Sequence, residues 1–363
     1  MKVGFLIQRM ASGGAERATS AIASEISQHG ETVEIVSFDS SESFYPLHNN
    51  VNIFNMELKD ISKSASLKRV IGCIKRAFEI RKKIKSRNFD VLVCMSTTMN
   101  LYGLLSTAFT KTKVVGTERN NPYKYKADPI NAALKKFSAI FLDGFIFQTE
   151  AASEYYAKSV RQKGTVIQNA VFNPLVKEIE PASEREKIIY GVGRLSAQKR
   201  FEDLIDAFAL LEKKYSDYRL VIFGEGEDRE KLQKKIDSYN LNEKILLPGT
   251  DKNALKYVSK GSAFVLSSDY EGMPNVLMEA MAVGTPCVST RCKMGPEELI
   301  EDGINGILVP VGDVEKIKDA VELIISNPKL AQSISKNGRN ILKTNDVSAI
   351  SAKWLEYLKS VTE

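Results

Sequence analysis

Short apolar runs alternate with helix-length amphipathic stretches from the start of this chain, and that alternation limits its fold more than any other feature. Lys2–Gln8, Val33–Phe38, Val51–Asn55, Asp90–Met95, Lys113–Thr117 and Leu142–Gln148 read as strands. Helical patterns lie between them: one ends near His29 at Gly30, one spans Ser64–Arg87, one spans Met99–Phe109, and Glu150–Ala157 follows the last strand. Strands that alternate with helices predict a mostly parallel sheet covered on both faces. The polar stretch Phe172–Glu186, with Pro174 and Pro181, interrupts the pattern. Lys187–Val192 restarts it, with further strands at Leu220–Gly224, Lys244–Pro248, Ala263–Ser267, Cys287–Ser289 and Gly306–Val309. The expected fold class is α/β with two Rossmann-like domains, over 1–172 and 173–345. A last segment, 346–363, is amphipathic through Ile350, Trp354, Leu355 and Leu358, and is expected to cross back to the first domain.

A chain of 363 residues, 43% hydrophobic and 26% charged, has room for two buried cores. No apolar run approaches the ~20 residues that span a bilayer. Met1–Gln8 turns polar too soon for a signal peptide, so a cytoplasmic protein is expected. Cys73, Cys94, Cys287 and Cys292 form no C-x-x-C pair and read as reduced thiols. His29 and His48, the two histidines, cannot build a metal site alone. A formal charge of +6 permits an anionic partner without demanding nucleic acid.

The stretch most loaded with chemistry is Glu271–Pro286, which reads as a loop entering a helix. Pro274 suits a first helical position, where its missing N–H is no loss. Gly284 suits the exit, where a left-handed residue is cheap. Glu271 then sits beside unpaired backbone N–H groups, a place that favours an anionic or oxygen-rich ligand. Glu279 lies about five residues further in, roughly 7–8 Å along the axis. Two carboxylates so spaced can hold two parts of one extended ligand; an ordinary amphipathic helix with an exposed acid is the plainer reading.

Other stretches carry weaker signals. Gly13-Gly14 after the first strand lets backbone approach a phosphate, or is simply a tight turn. It lacks the G-x-G-x-x-G spacing of a dinucleotide site. Gly193-Arg194 and Lys199 offer a planar fork and a point charge suited to a diphosphate. Glu118-Arg119 closes a strand at its carboxyl end, where open α/β sheets place ligands. On the 64–87 helix, Leu67, Val70, Ile71, Ile74, Phe78 and Ile84 fall near one face. Its Lys68, Arg69, Lys75, Arg76, Lys82 and Lys83 face one acid, Glu79. That is a solvated face, a grip on an acceptor diphosphate, or a contact with anionic lipid. One aromatic, Phe78, stands among these cations, too few for base stacking, which disfavours nucleic acid.

Taken whole, E-G-M-P-N-V-L-M-E-A-M-A-V-G-T-P-C-V resembles the E-x7-E signature of retaining glycosyltransferases of family 4. The G-G-A-E-R loop, the Thr165-Val166-Ile167-Gln168-Asn169-Ala170-Val171 connector, the G-R-L-x-x-x-K string, the Gly224-Glu225-Gly226 turn and Pro248-Gly249 resemble that family in the same order. The resemblance implies a GT-B architecture, two Rossmann-like domains facing across a cleft, with acceptor bound by the first and nucleotide sugar by the second. It implies catalytic roles for Glu271, Arg194 and Lys199. It implies donor contacts at Gly13, Gly14, Gly193, Gly224, Gly226, Pro248, Gly272, Met273, Asn275, Val276 and Glu279. Where many members carry His-Asp, this chain has Glu118-Arg119, similar to the branch acting on amino-sugar, lipid-linked oligosaccharides. Acceptor contacts are therefore expected at Glu118, Arg119, Lys68, Arg69, Lys75 and Arg76. The donor implied is a UDP-linked hexose or N-acetylhexosamine, and the acceptor an undecaprenyl-diphosphate saccharide at the anionic inner-membrane surface. No metal or other cofactor is implied. The rivals are a UDP-sugar 2-epimerase of the same architecture and a non-enzymatic anion- or nucleotide-binding module.

Overall fold

Every strand pair among the described residues is parallel, as apolar runs separated by helices require. The structure is a computed structural model that describes residues 1–11, 13–39, 42–58, 66–123, 129–172 and 174–363. The chain divides into two units, Met1–Phe172 with Val347–Glu363, and Asn173–Asp346.

The first unit runs β1 (Lys2–Ile7), α1 (Gly14–Gln28), β2 (Thr32–Ser37), β3 (Val51–Asn55), α2 (Ser66–Ile84) and β4 (Val91–Cys94). It continues with α3 (Thr97–Thr107), β5 (Lys113–Glu118), α4 (Pro129–Ile140), β6 (Gly144–Phe147), α5 (Glu150–Glu154), α6 (Lys158–Gln162) and β7 (Gly164–Val166). Its sheet has the order β3-β2-β1-β4-β5-β6-β7. The second unit runs β8 (Glu186–Val192), α7 (Phe201–Glu212), β9 (Arg219–Phe223), α8 (Arg229–Ser238), β10 (Ile245–Gly249), α9 (Ala254–Val258) and β11 (Gly261–Leu266). It ends with α10 (Asn275–Ala282), β12 (Cys287–Thr290), α11 (Pro296–Leu299), β13 (Ile307–Val309), α12 (Val314–Ser326), α13 (Pro328–Gly338) and α14 (Ile341–Thr344). Its order is β10-β9-β8-β11-β12-β13. The chain then returns to the first unit as α15 (Val347–Thr362).

Strand residues two apart share a face. Val3, Phe5, Ile7, Val93, Val115 and Ile146 thus present one apolar surface of the first sheet, which α1 covers through Ala18, Ile22 and Ile26. Ile350, Trp354 and Leu358 of α15 complete that core, with Trp354 fully buried. The other face of the sheet carries α3 so closely that a Cβ on Gly103 would lie 2.3 Å from Cys94 Sγ. In the second unit, α7 supplies Leu204, Ile205 and Phe208 and α12 supplies Ile317, Val321 and Ile324 to a core built on Leu220, Ile222, Val265 and Val288. Among the described residues, no helix is long and apolar enough to cross a membrane.

Some elements differ from the sequence reading. The helices α4 and α6 are not anticipated there, and Thr165-Val166, read as the start of a connector, belong to the edge strand β7, which pairs with Phe145–Phe147. The face of α2 is also corrected. Ala77, Ile80 and Ile84 are buried, whereas Ile74 and Phe78 are 48% and 66% exposed. Arg76 is 8% exposed and its guanidinium lies 5.6 Å from the Phe38 ring centre, so it is a packed cation and no part of an open basic face. Ser64 and the side chains of Lys68 and Arg69 lie outside the described residues.

Candidate functional site

The order of strands reverses between β8 and β11, and the loops leaving those two strands flank the reversal. Open α/β sheets place ligands at the carboxyl ends of strands around such a point. The first loop carries Gly193, Arg194 and Lys199, and the second carries Ser268 to Pro274. They are laced together by Ser267 Oγ donating to the Lys199 carbonyl at 2.8 Å, Asp269 N to the Gln198 carbonyl at 2.8 Å, and Gln198 Nε2 to the Tyr270 carbonyl at 2.9 Å. The short 3-10 turn Ala197–Lys199 ends on Arg200 at φ +47, a left-handed backbone that an arginine rarely adopts. Lys199 is thereby aimed back at the second loop.

Its ammonium reaches Glu271 at 2.6 Å. Both side chains are largely buried, 14% and 9% exposed. Ser268, fully buried, donates from Oγ to the same carboxylate oxygen at 2.6 Å. Two donors therefore clamp Oε1, while Oε2 accepts no hydrogen bond from a described residue. Ser268 is fixed in turn by its own carbonyl, which accepts from Thr290 Oγ1 at 2.6 Å and Cys292 Sγ at 3.2 Å. Burial pushes the Cys292 thiol up to about 11, so it donates there as a neutral group. Arg194 is exposed and makes no ion pair with a described residue.

The E-x7-E helix is α10. Pro274 is its N-cap in extended backbone, one position before the first helical residue expected of it, and no side chain caps that end. Its exit is a Schellman turn: Thr285 N donates to the Ala280 carbonyl and Gly284 N to the Met281 carbonyl, both at 2.9 Å, with Gly284 at φ +77. Gly272 and Met273 are buried, Asn275 and Val276 partly so, and Glu279 is 6% exposed.

Glycine sets the remaining contours. A Cβ on Gly224, whose φ is +142, would lie 1.8 Å from the Gly193 carbonyl oxygen, and one on Gly226 would lie 2.2 Å from the Leu195 oxygen. The turn after β9 is thus pressed against the turn that carries Arg194. Gly224 N also donates to the Gly249 carbonyl at 2.8 Å, which joins in the exposed Pro248 edge. Two residues here escaped the sequence reading. One is Ser268, whose contact with Glu271 no motif announces. The other is Gly295, at φ +77, whose added Cβ would meet the Gly272 oxygen at 2.2 Å; its Gly295-Pro296 turn signal was available.

In the first unit, Gly13 is the N-cap of α1 and Gly14 its first residue, directly after β1. The φ of Gly13 is −176, which any residue adopts. Glu118 and Arg119 do not act as a pair. Glu118 is 1% exposed, accepts from Tyr156 OH at 2.7 Å and from Asn120 N at 3.1 Å, and so is turned inward. These bonds tie it to Tyr156 and to the loop that follows β5. Arg119 Nη2 donates at 2.9 Å to Asn169 Oδ1, which also accepts from Gln148 Nε2 at 2.7 Å. Burial pulls the Arg119 guanidinium down to about 10, still far above neutral pH, so it stays a cation. Lys75 is exposed.

Comparison with known proteins agrees with this layout. The model of Glycosyltransferase Family 4 matches residues 12–171, and that of Glycosyl transferases group 1 matches residues 173–341. The GalNAc-alpha-(1->4)-GalNAc-alpha-(1->3)-diNAcBac-PP-undecaprenol alpha-1,4-N-acetyl-D-galactosaminyltransferase of Campylobacter jejuni is 26% identical over 99% of both chains. The N-acetylgalactosamine-N,N'-diacetylbacillosaminyl-diphospho-undecaprenol 4-alpha-N-acetylgalactosaminyltransferase of the same organism is 28% identical over 98% of this chain and 99% of its own. The crystal structure of Anabaena HepE in complex with UDP superposes with a TM-score of 0.81 at 18% identity, covering 99% of this chain and all of that one. With the paired Lys199 and Glu271 at the switch point of a second parallel sheet, and family models matching both halves, the chain belongs to glycosyltransferase family 4 and is a glycosyltransferase of the GT-B fold.

Proposed function

We propose that this enzyme transfers a hexose or N-acetylhexosamine, with retention, from a UDP-sugar to a saccharide linked to undecaprenyl diphosphate. The observation that carries this reading is the Glu271 carboxylate, clamped on one oxygen by Lys199 and Ser268 and with no hydrogen bond from a described residue on the other. Relatives matched along their whole length act on undecaprenyl-diphosphate glycans, which supports the acceptor class.

In this reading the second unit holds the donor. Uracil lies against the backbone at Pro248, Gly224 and Gly226. Glu279 accepts from the ribose hydroxyls. Arg194 and Lys199 meet the diphosphate, with Gly193 and the amide end of α10 close by. Glu271 hydrogen-bonds the sugar and supports positive charge at its anomeric carbon. The bond from that carbon to the phosphate oxygen breaks, and the acceptor oxygen bonds on the same face. The acceptor's hydroxyl proton passes to the departing phosphate oxygen, so UDP leaves and no protein base is required. Charge growing on the diphosphate is met by the two cations, the role a metal would otherwise fill. The first unit holds the acceptor, with Arg119 and Lys75 near its charged portion. The enzyme works on the cytoplasmic face of the inner membrane, where such lipids are built up.

The direct test is UDP release from several UDP-sugars, with and without a lipid-diphosphate saccharide, and the anomeric configuration of the product. Acceptor-dependent release with an α-linked product from an α-donor is expected. Turnover of UDP-sugar into a free epimer without acceptor overturns the reading.

A second expectation arises at Ser268. A hydrogen bond to a charged group contributes about 1.5–3 kcal/mol, so Ser268→Ala should lower kcat by ~10- to 10²-fold with little change in KM for donor. A wild-type kcat in a folded variant removes Ser268 as a positioning residue.

A further inference from the structure

Seven of the large apolar side chains that stand exposed in this molecule fall between residues 74 and 141, on α2, α3, α4 and the turns that follow them. They are Ile74, Phe78, Leu105, Phe109, Phe137, Ile140 and Phe141. The three helices cover one face of the first sheet, and their turns lead into β4, β5 and β6, which are neighbours. Parallel topology puts those turns side by side at one edge, about 5 Å apart. Two contacts tie the start of β5 to the turn before β6: Lys113 Nζ lies 3.4 Å from Asp143 Oδ1, and Val114 N donates to Asp143 Oδ2 at 2.8 Å.

Phe109 is the sharpest element. It is fully exposed and held at φ +59, a left-handed backbone that is strained for a bulky residue. No packing of its ring against a described residue repays that strain. The tip is nevertheless fixed, because Arg81 of α2 donates to the Ala108 carbonyl and Thr110 N to the Thr107 carbonyl at 3.0 Å. Phe137 and Phe141 meet edge to face at 4.9 Å, and both remain more than half exposed.

The charge on this face is mostly positive. Glu79 is the only acid on α2, α3 and α4, and Asp143 in the turn after α4 is paired with Lys113. Lys75, Lys82 and Lys83 are exposed on α2, Lys111 is exposed beside Phe109, and Lys136 of α4 lies 3.8 Å from the Tyr155 ring centre. Aromatic tips surrounded by lysines match the two layers of an anionic lipid surface, acyl chains beneath and phosphates above. A protein partner of matching chemistry would have to offer acids around an apolar hollow; a membrane offers both without specificity.

We infer that the α2–α3–α4 face is a membrane anchor, with Phe109, Phe137 and Phe141 inserted below the headgroups of an anionic bilayer and the lysines at their level. This deepens the reading of a lipid-linked acceptor, and it moves the membrane contact from the basic residues of α2 alone to aromatic residues of α4 and of the turns after α3 and α4.

The test is co-sedimentation of the full chain with phosphatidylglycerol vesicles and with phosphatidylcholine vesicles, without donor or acceptor. Binding to the anionic vesicles is expected. It should weaken by about 10-fold for each of Phe109→Ser, Phe137→Ser and Phe141→Ser, the loss expected for an aromatic withdrawn from an apolar phase. A Phe141→Trp variant adds a readout of depth: its emission should shift to the blue on vesicles, against the constant background of the buried Trp354. The serine variants should keep wild-type transfer to a short-chain, water-soluble acceptor, which separates failure of the anchor from failure of the transferase reading. Unchanged vesicle binding in the triple serine variant overturns the inference. So does an unshifted emission from the Phe141→Trp variant, or a dimer in solution that the triple variant abolishes.

Discussion

Glu271→Ala is expected to lose on the order of 10²-fold or more in turnover while remaining folded. The carboxylate is built into its place: Oε1 takes Lys199 and Ser268, both at 2.6 Å, and its loop is laced to the Lys199 loop through Gln198 and Ser267. Such a group can act in transfer, or it can merely neutralise a half-buried lysine. The two roles separate by experiment. If the ion pair is structural, Glu271→Ala lowers the melting temperature and the folded fraction, but each folded molecule turns over normally. If Glu271 supports the anomeric carbon, kcat falls in the fraction that circular dichroism shows to be folded. Arg194→Ala is the cleaner companion, because Arg194 is exposed and makes no ion pair with a described residue, so its removal carries little stability cost. It should also lose on the order of 10²-fold in kcat, if its charge meets the departing diphosphate. Near wild-type turnover in either folded variant removes that residue from the mechanism.

What could be read from sequence divides along a physical line. Strands such as Lys2–Ile7 and Gly261–Leu266 are buried on both faces, so they appear as continuous apolar runs and are legible without partners. The Glu271–Pro286 stretch is legible because Pro274 and Gly284 are dictated by local backbone geometry. The face of α2 is not, since a basic helix with scattered apolar residues fits more than one register. Only packing decides that Ala77, Ile80 and Ile84 go inward and that Ile74 and Phe78 stay outside. The pattern of α4 fails for the same reason, because Phe137 and Ile140 are exposed where a core helix would bury them. Asn169 illustrates the other limit. It joins Arg119, fifty positions earlier, to Gln148, and no local spacing encodes that meeting. Ser268 lies three residues before Glu271, yet in a loop that distance implies no contact until β11 and the loop bonds fix it. The residues that touch the proposed reaction were visible through their chemistry; those that hold them in place became visible only through the fold.

Gly224→Ala should do comparable damage with one methyl group and no change of charge. The added Cβ would lie 1.8 Å from the Gly193 oxygen and 2.9 Å from its carbonyl carbon, both backbone atoms that no rotamer change can move aside. The φ of +142 adds strain of roughly 1–3 kcal/mol for an L side chain. The turn Gly193-Arg194 must then shift by an ångström or more, and misplacement of that size can cost ~10²-fold in rate. The expected result is a melting temperature several degrees lower, together with a kcat/KM reduced by that order. Gly303→Ala separates the two effects. Gly303 also has positive φ, +77, but no atom within 4 Å of its added Cβ, and it lies on the turn before β13 rather than on the donor loops. It should lose stability from backbone strain alone and keep wild-type kcat/KM. If Gly224→Ala behaves in the same way, with a lower melting temperature and unaltered kinetics, the position of Arg194 does not govern transfer, and its assignment to the diphosphate fails with it.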